Sequence, residues 1–194
     1  DRCRIQRGNK GSVTGSVNFN LRCATPADAS AIAHVYVSSW RSTYEGLVPD
    51  EVLAALNELK QTGYWWGVLC ETTRGCRTLV AEGASRVVGF STFGPAREDS
   101  FSRRGEIYTL YLIDAYQRCG IGRRMLSASV HNMSAVGFSS MCVWVLAGNS
   151  ARDFYERLGG IEISSRNIGI GRWRLKEVCY LWPDLHIFEE PEDY

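Results

Sequence analysis

The sequence predicts one α/β domain: a mixed, mostly antiparallel central sheet with helices on both faces. The order of apolar periodicities carries that reading, running strand, helices, three strands, helix, strand, helix, two strands. The run Met141-Cys142-Val143-Trp144-Val145-Leu146 is continuously apolar, which suits a strand buried on both faces. The segment Gln117-Arg118-Cys119-Gly120-Ile121-Gly122 sits where a strand-like stretch, 106–112, hands over to a helix-like stretch, 123–136.

Composition sets the outer bounds. The 194 residues are 45% hydrophobic and 22% charged, values of a globular chain long enough to bury a core. A net charge of +1 gives no electrostatic argument for a nucleic-acid or membrane partner, and neither is expected. Seven cysteines is an odd count without a C-x-x-C pair, which argues against a zinc site and against a disulfide framework. Reduced thiols in a cytoplasmic protein follow as the simplest reading. His34, His131 and His186 are far apart, so no metal site is expected. No apolar run approaches the roughly 18 residues of a membrane span, and no signal peptide is evident.

Residues 1–17 contain four basic residues and no apolar period, so they read as a flexible leader before a domain over 18–184. A first strand is expected at 17–24. Thr25-Pro26-Ala27-Asp28 is a helix start with a cap, an N-terminal proline and capping-box spacing. Ala29, Ile32, Ala33, Tyr36 and Trp40 then mark one apolar face. Short helices are expected from Asp50 and over 62–71. Residues 77–82 and 86–93 read as a hairpin, and 94–105 as polar and irregular. After the strand at 106–112 come the glycine turn, its helix, the buried strand at 141–146, and a helix over 149–158 ended by Gly159-Gly160. Residues 161–165 and 172–182 form a final hairpin around 167–171. An acidic tail, 185–194, closes the chain.

A helix N-terminus carries unpaired N–H groups and the positive end of the helix dipole. Two glycines one residue apart let that backbone approach an anion closely, so the segment is suited to phosphate or pyrophosphate. A dinucleotide fold would need G-x-G-x-x-G/A, and Met125 occupies the third position. The Gly-Lys-Ser/Thr of a P-loop is missing too, which disfavours a nucleotide-binding α/β protein.

The second motif lies further on. In Asn149-Ser150-Ala151-Arg152-Asp153-Phe154-Tyr155, Asn149 is a good N-cap. Phe154 and Leu158 share the expected core face, and Ala151 and Tyr155 share another. A small residue one turn before a tyrosine leaves room for something to lie against the helix. The two motifs, Gln-x-x-Gly-x-Gly at 117–122 and Asn-x-x-Ala-x-x-Phe-Tyr at 149–155, resemble the cofactor motifs of the GNAT superfamily of acyl-CoA-dependent N-acyltransferases. They occur in that family's order with a buried strand between them, and the resemblance covers about residues 18–182.

The resemblance implies a fold, a co-substrate and residue roles. Acetyl-CoA would be the co-substrate, with no metal. Gln117, Arg118, Cys119, Gly120, Ile121, Gly122 and Arg123 would hold its pyrophosphate, largely through backbone. Leu110, Tyr111 and Leu112 would present backbone to the pantetheine arm in a gap between two splayed strands, 106–112 and 141–146. Asn149 would contact the pantetheine, and Tyr155 would sit near the sulfur as general acid. Glu106 opens the central strand where some members carry a basic carboxylate; a solvated residue at a strand edge is the alternative. Cys119 at a helix N-terminus has the setting of an activated thiol, but no histidine is near it in sequence. Trp40 and Tyr44, four apart at the end of the first long helix, either line the acceptor site or close the core. The implied activity is direct acetyl transfer to the primary amine of a small molecule or protein through a ternary complex. A non-catalytic CoA-binding module on the same scaffold is the alternative. Dimers are common in this superfamily, which makes a homodimer one expected assembly.

Overall fold

Seven strands among the described residues form one sheet. They are β1 (Phe19–Cys23), β2 (Arg77–Gly83), β3 (Arg86–Pro95), β4 (Arg104–Leu112), β5 (Ser140–Leu146), β6 (Ile161–Ile170) and β7 (Trp173–Trp182), and they lie in the order β1-β2-β3-β4-β5-β7-β6. The structure is a computed structural model and describes residues 19–71, 77–97 and 104–188. The expected leader, 1–17, and residues 189–194 of the acidic tail lie outside the described residues. Every neighbouring pair is antiparallel except β4–β5, which is parallel.

Helices α1 (Ala29–Thr43), α2 (Asp50–Ala54) and α3 (Glu58–Cys70) precede β2, and α4 (Ile121–Ala135) and α5 (Ala151–Arg157) flank β5. Ile32, Ala33, Val35 and Trp65 from α1 and α3 bury one face of the sheet against Val80, Val87 and Phe90. Leu126, Val130 and Met133 of α4 and Tyr155 of α5 cover the other, against Ile107, Val143, Val178 and Tyr180. Each such side chain taken out of water contributes about 1.5–3 kcal/mol, enough to hold both layers on the sheet.

Strands β3 and β4 extend two residues each into the stretch 94–105 read as irregular, other element ends shift by one or two residues, and three elements differ further from the sequence reading. Helix α3 begins at Glu58 rather than 62, because Asn57 accepts the Lys60 N–H at 2.9 Å and caps an extra turn ahead of the apolar face. Strand β6 runs on to Ile170, since Ile168 and Ile170 pack against the cluster of Tyr44, Val48 and Leu53. The hairpin turn therefore moves to Gly171, at φ +59°. Finally, Leu185–Phe188 is a 3-10 turn, and Leu185 is buried in the same core as α4.

A β-bulge decides which side chains face which layer. Thr92 pairs with Thr109 and Phe93 with Ile107, so the register shifts by one residue at Tyr108. Strict alternation would put Ile107 and Tyr111 on one face. Instead Ile107 enters the α4 core while Tyr111 packs against the α1–α3 layer.

The start of the domain is pinned by charge. Arg22 donates to both Asp28 oxygens at 2.8 Å and to Glu82 at 2.9 and 3.0 Å, while Asp28 accepts the Thr25 N–H at 2.7 Å. The Arg22 hydrogen bonds, with the Thr25 bonds second to them, hold the Asp28 carboxyl down at about 2. A carboxyl depressed on folding stabilises above its unfolded value, about 3.9, and that contribution is lost as pH falls through the folded value. Asp28→Asn should cost about 1–2 kcal/mol at neutral pH, discounted for the part-exposed Arg22. Urea unfolding of both proteins should show the gap closing as the pH is lowered from about 5 towards 2.

Candidate active site

Strand pairing creates the site. The parallel ladder between β4 and β5 runs only from Arg104–Ser140 to Ile107–Val143. Beyond it β4 stays paired with β3 as far as Leu112–Gly89, and β5 with β7 as far as Leu146–Glu177. Each strand is held on its outer side while the inner sides part. The β5-facing edge of Thr109 to Leu112 therefore has no strand partner among the described residues, and its backbone groups are available to an extended ligand.

The glycine turn lies at the open end of that gap. After a 3-10 turn at Asp114–Tyr116, Gln117 folds back, donating to Leu112 O at 3.2 Å and to Asp114 Oδ1 at 3.0 Å. Its side chain braces the turn, which leaves backbone for any anion. Arg118 and Gly120 take φ +60° and +79°, and Gly120 caps α4. A Cβ added at Gly120 would meet nothing within 4 Å, and one at Gly122 only the Phe154 ring at 3.7 Å. The first N–H groups of α4 have no acceptor within the helix. The surface above them is open, with the geometry an anion needs. Cys119 is disulfide-bonded, and its partner lies outside the described residues. This corrects the expectation of reduced thiols throughout, and it removes that argument for a reducing compartment.

Asn149 sits one residue outside its expected capping position, since α5 starts at Ala151 and Ser150 is the N-cap. The bond it was expected to make is nonetheless present: its Oδ1 accepts the Ala151 N–H at 2.8 Å. Tyr155 is the buried side chain of α5, with Phe154 and Leu158 half-buried against the same core. Its ring packs 5.3 Å from Phe154, 6.0 Å from Trp182 and 6.1 Å from Tyr180. Burial, with the Tyr44 hydroxyl nearby, pushes its pKa above the ordinary tyrosine value, so it remains protonated at neutral pH.

Glu106 is not a solvated edge residue. It is 1% exposed and held by Arg97. The Arg97 backbone N–H donates to Oε2 at 2.9 Å, and its guanidinium donates through Nε at 3.0 Å and through Nη2 to Oε1. Arg97 also lies over the Tyr108 ring, 5.1 Å from its centre. Neither Arg97 nor Tyr108 was singled out from sequence. They lie in a polar stretch and at the bulge, where no periodicity marks them.

Trp40 and Tyr44 do meet the site. Their rings are 4.7 Å apart, and Trp40 Nε1 donates to the Tyr111 hydroxyl at 2.9 Å. Tyr44 lies close to Tyr111, Asn149 and Tyr155. Tyr36 extends the cluster, 5.4 Å from Trp40 and 5.6 Å from Tyr111. So α1, the open edge of β4 and the start of α5 converge on one aromatic wall.

An open strand edge ends in a glycine turn, with an acid, a tyrosine and an aromatic wall around it. Residues 30–160 match the Acetyltransferase (GNAT) family, and the chain belongs to it. It is 36% identical over 165 residues to the uncharacterized N-acetyltransferase YuaI of Bacillus subtilis (strain 168), covering 85% of this chain and 93% of that protein. The fold is shared with PaiA N-acetyltransferase of Thermoplasma acidophilum, solved with coenzyme A, at TM-score 0.65 and 20% identity over 82% of this chain and 98% of that one. It is shared also with YncA of Salmonella typhimurium, a putative acetyltransferase solved with acetyl-CoA, at TM-score 0.64 and 22% identity over 91% and 99%.

The Trp40 bond offers a direct check of the wall. Trp40→Phe keeps a ring but takes this donor away from the half-buried Tyr111 hydroxyl, which should cost about 1 kcal/mol. Equilibrium urea unfolding of the variant measures it.

Proposed function

We propose that this chain is an acetyl-CoA-dependent N-acetyltransferase that moves the acetyl group directly to a primary amine, of a small molecule or a protein, in a ternary complex. The open edge of β4 beside the glycine turn carries the proposal: it offers backbone to an extended arm and a helix N-terminus to a pyrophosphate. In this reading Leu110, Tyr111 and Leu112 pair with the pantetheine. Gln117, Arg118, Cys119, Gly120, Ile121, Gly122 and Arg123 form the cradle, and Asn149 meets the arm from α5. Acetyl-CoA supplies an activated carbonyl and a thiolate leaving group.

The chain's own residues would do the rest. An ammonium has no lone pair at neutral pH, so its proton must be removed before attack. Glu106 supports that role by position, at the apex of the gap. Its carboxylate, though engaged by Arg97, keeps acceptor capacity at Oε2, where one N–H donates. Backbone N–H groups on the open edge of β4 would stabilise the developing oxyanion. Tyr155 would donate from its hydroxyl to the departing sulfur. Because burial raises its pKa, full proton transfer to a thiolate of pKa about 8.5 is uphill. Hydrogen bonding to the developing charge is the role its environment supports. Trp40 and Tyr44 would wall the acceptor.

CoA binding tests the cradle. CoA at a hundredfold excess over its dissociation constant should stabilise the fold by about 2.7 kcal/mol, read as a thermal shift larger than those with NAD or ATP. Gly122→Val should lose that shift yet stay folded, because a Cβ there meets only an ordinary contact with Phe154. An unchanged shift in the folded variant would place the cradle elsewhere.

Tyr155→Phe keeps the ring and removes only the hydroxyl. It should lower kcat about 10²-fold or more, with kcat/KM falling in parallel and CoA affinity and melting temperature unchanged. If kcat remains within about threefold while chemistry limits the rate, Tyr155 is a packing residue.

A further inference from the structure

The Arg97–Glu106 pair is built in an uneven way. The carboxylate side chain is 2% exposed and the arginine side chain 58% exposed. A buried acid paired with a surface arginine stabilises little in itself, since burying the acid costs most of what the pairing returns. What the pair does accomplish is orientation. Glu106 takes the Nε–H and one Nη2–H, while the Tyr108 ring supports the guanidinium face. The Tyr108 hydroxyl donates to Pro95 O at 2.5 Å, fixing that ring in turn. Of the guanidinium's five N–H donors, the Nη1 pair and the second Nη2–H have no partner among the described residues. They form an outward fork of fixed direction, the geometry that receives a carboxylate with two parallel bonds.

Its place in the fold gives this fork a purpose. Glu106 lies one residue before Ile107, the last β4 residue paired with β5, so the pair stands at the apex of the gap. The bulge at Tyr108 turns the strand there, and Glu106 and Arg97 lie away from the α4 core that takes Ile107. A ligand arriving at the apex meets the exposed guanidinium, with the buried carboxylate fixed directly behind it.

We infer that the acceptor is an amine bearing a neighbouring carboxylate, of the α-amino acid class, with its carboxylate on the outer fork of Arg97 and its amine towards Glu106. A zwitterion of that kind lies antiparallel to the pair and matches both of its charges. The inference rests on the acetyltransferase reading above and narrows its acceptor.

The test compares glycine and the common L-amino acids other than proline and cysteine, each with its own α-amide, using acetyl-CoA and monitoring released thiol. The amide keeps the side chain and the amine but loses the carboxylate. Its amine is also the weaker base, at about 7.7–8.0, so more of it is unprotonated, and chemistry alone would favour it. The expected result is turnover of at least one free amino acid with kcat/KM about 10- to 100-fold above that of its amide. Arg97→Met should bring this ratio close to one, and Arg97→Lys, which keeps the charge but not the fork, should leave an intermediate ratio. Melting temperature and the CoA shift verify that each variant is folded. Should the amides equal or exceed the acids, should no free amino acid be acetylated, or should folded Arg97 variants keep the wild-type ratio, the inference falls. The CoA shift separates the two levels: intact CoA binding with no carboxylate preference overturns only the acceptor class, whereas no CoA binding overturns the acetyltransferase reading itself.

Discussion

The site depends on the early end of one parallel ladder. Strands β4 and β5 pair over four residues each and then part, while both remain paired with their outer neighbours. Unpaired strand edges invite pairing with another chain, and they are costly to bury without a partner. Here the edge faces inward, walled by α1 and α5. It is protected from other sheets yet open to a narrow extended ligand. Everything placed around the gap acts on whatever lies in it.

The bulge at Tyr108 is the second half of that arrangement. It lets one strand serve two layers: Ile107 and Leu110 support the α4 core, whereas Tyr111 joins the aromatic wall under α1. The same extra residue sets Tyr108 beneath Arg97. An insertion of a single residue thus supplies a packing change, a support for a guanidinium and a bend next to the gap, as bulges near functional sites commonly do.

The far side of the site is tied by an apolar cluster and by surface bonds. Leu146 and the α1–α2 connection pack with Ile168, Ile170 and Leu175 of the last hairpin. At its tip, Arg172 and Trp173 both donate to Glu51 of α2, at 3.1 and 2.9 Å. These partners are largely exposed, and such pairs contribute about 0–1 kcal/mol. The far side is therefore held by this buried apolar cluster, and the bonds at the hairpin tip add little to it.

Local chemistry made much of this protein legible in its sequence. The glycine turn after a strand, the Asn149–Tyr155 segment, the capping box at Thr25–Asp28 and the apolar run of β5 depend on neighbours within about one helical turn or one strand. Their periodicity and turn residues are enough to read them. The parting of β4 from β5, the bulge, and the pairing of Arg97 with Glu106 depend on register between distant strands. No local pattern encodes that register, and a shift of one residue reverses every face. Glu106 could be read from sequence as a base or as a solvated edge residue, since an acidic residue at a strand start looks the same in both settings. Only the fold shows it buried beneath an exposed arginine. For the same reason Tyr36, Trp40 and Tyr44 were legible as one helix face but not as a wall to Tyr111, which is about 70 residues away in the chain and meets them only because α1 crosses the open half of the sheet.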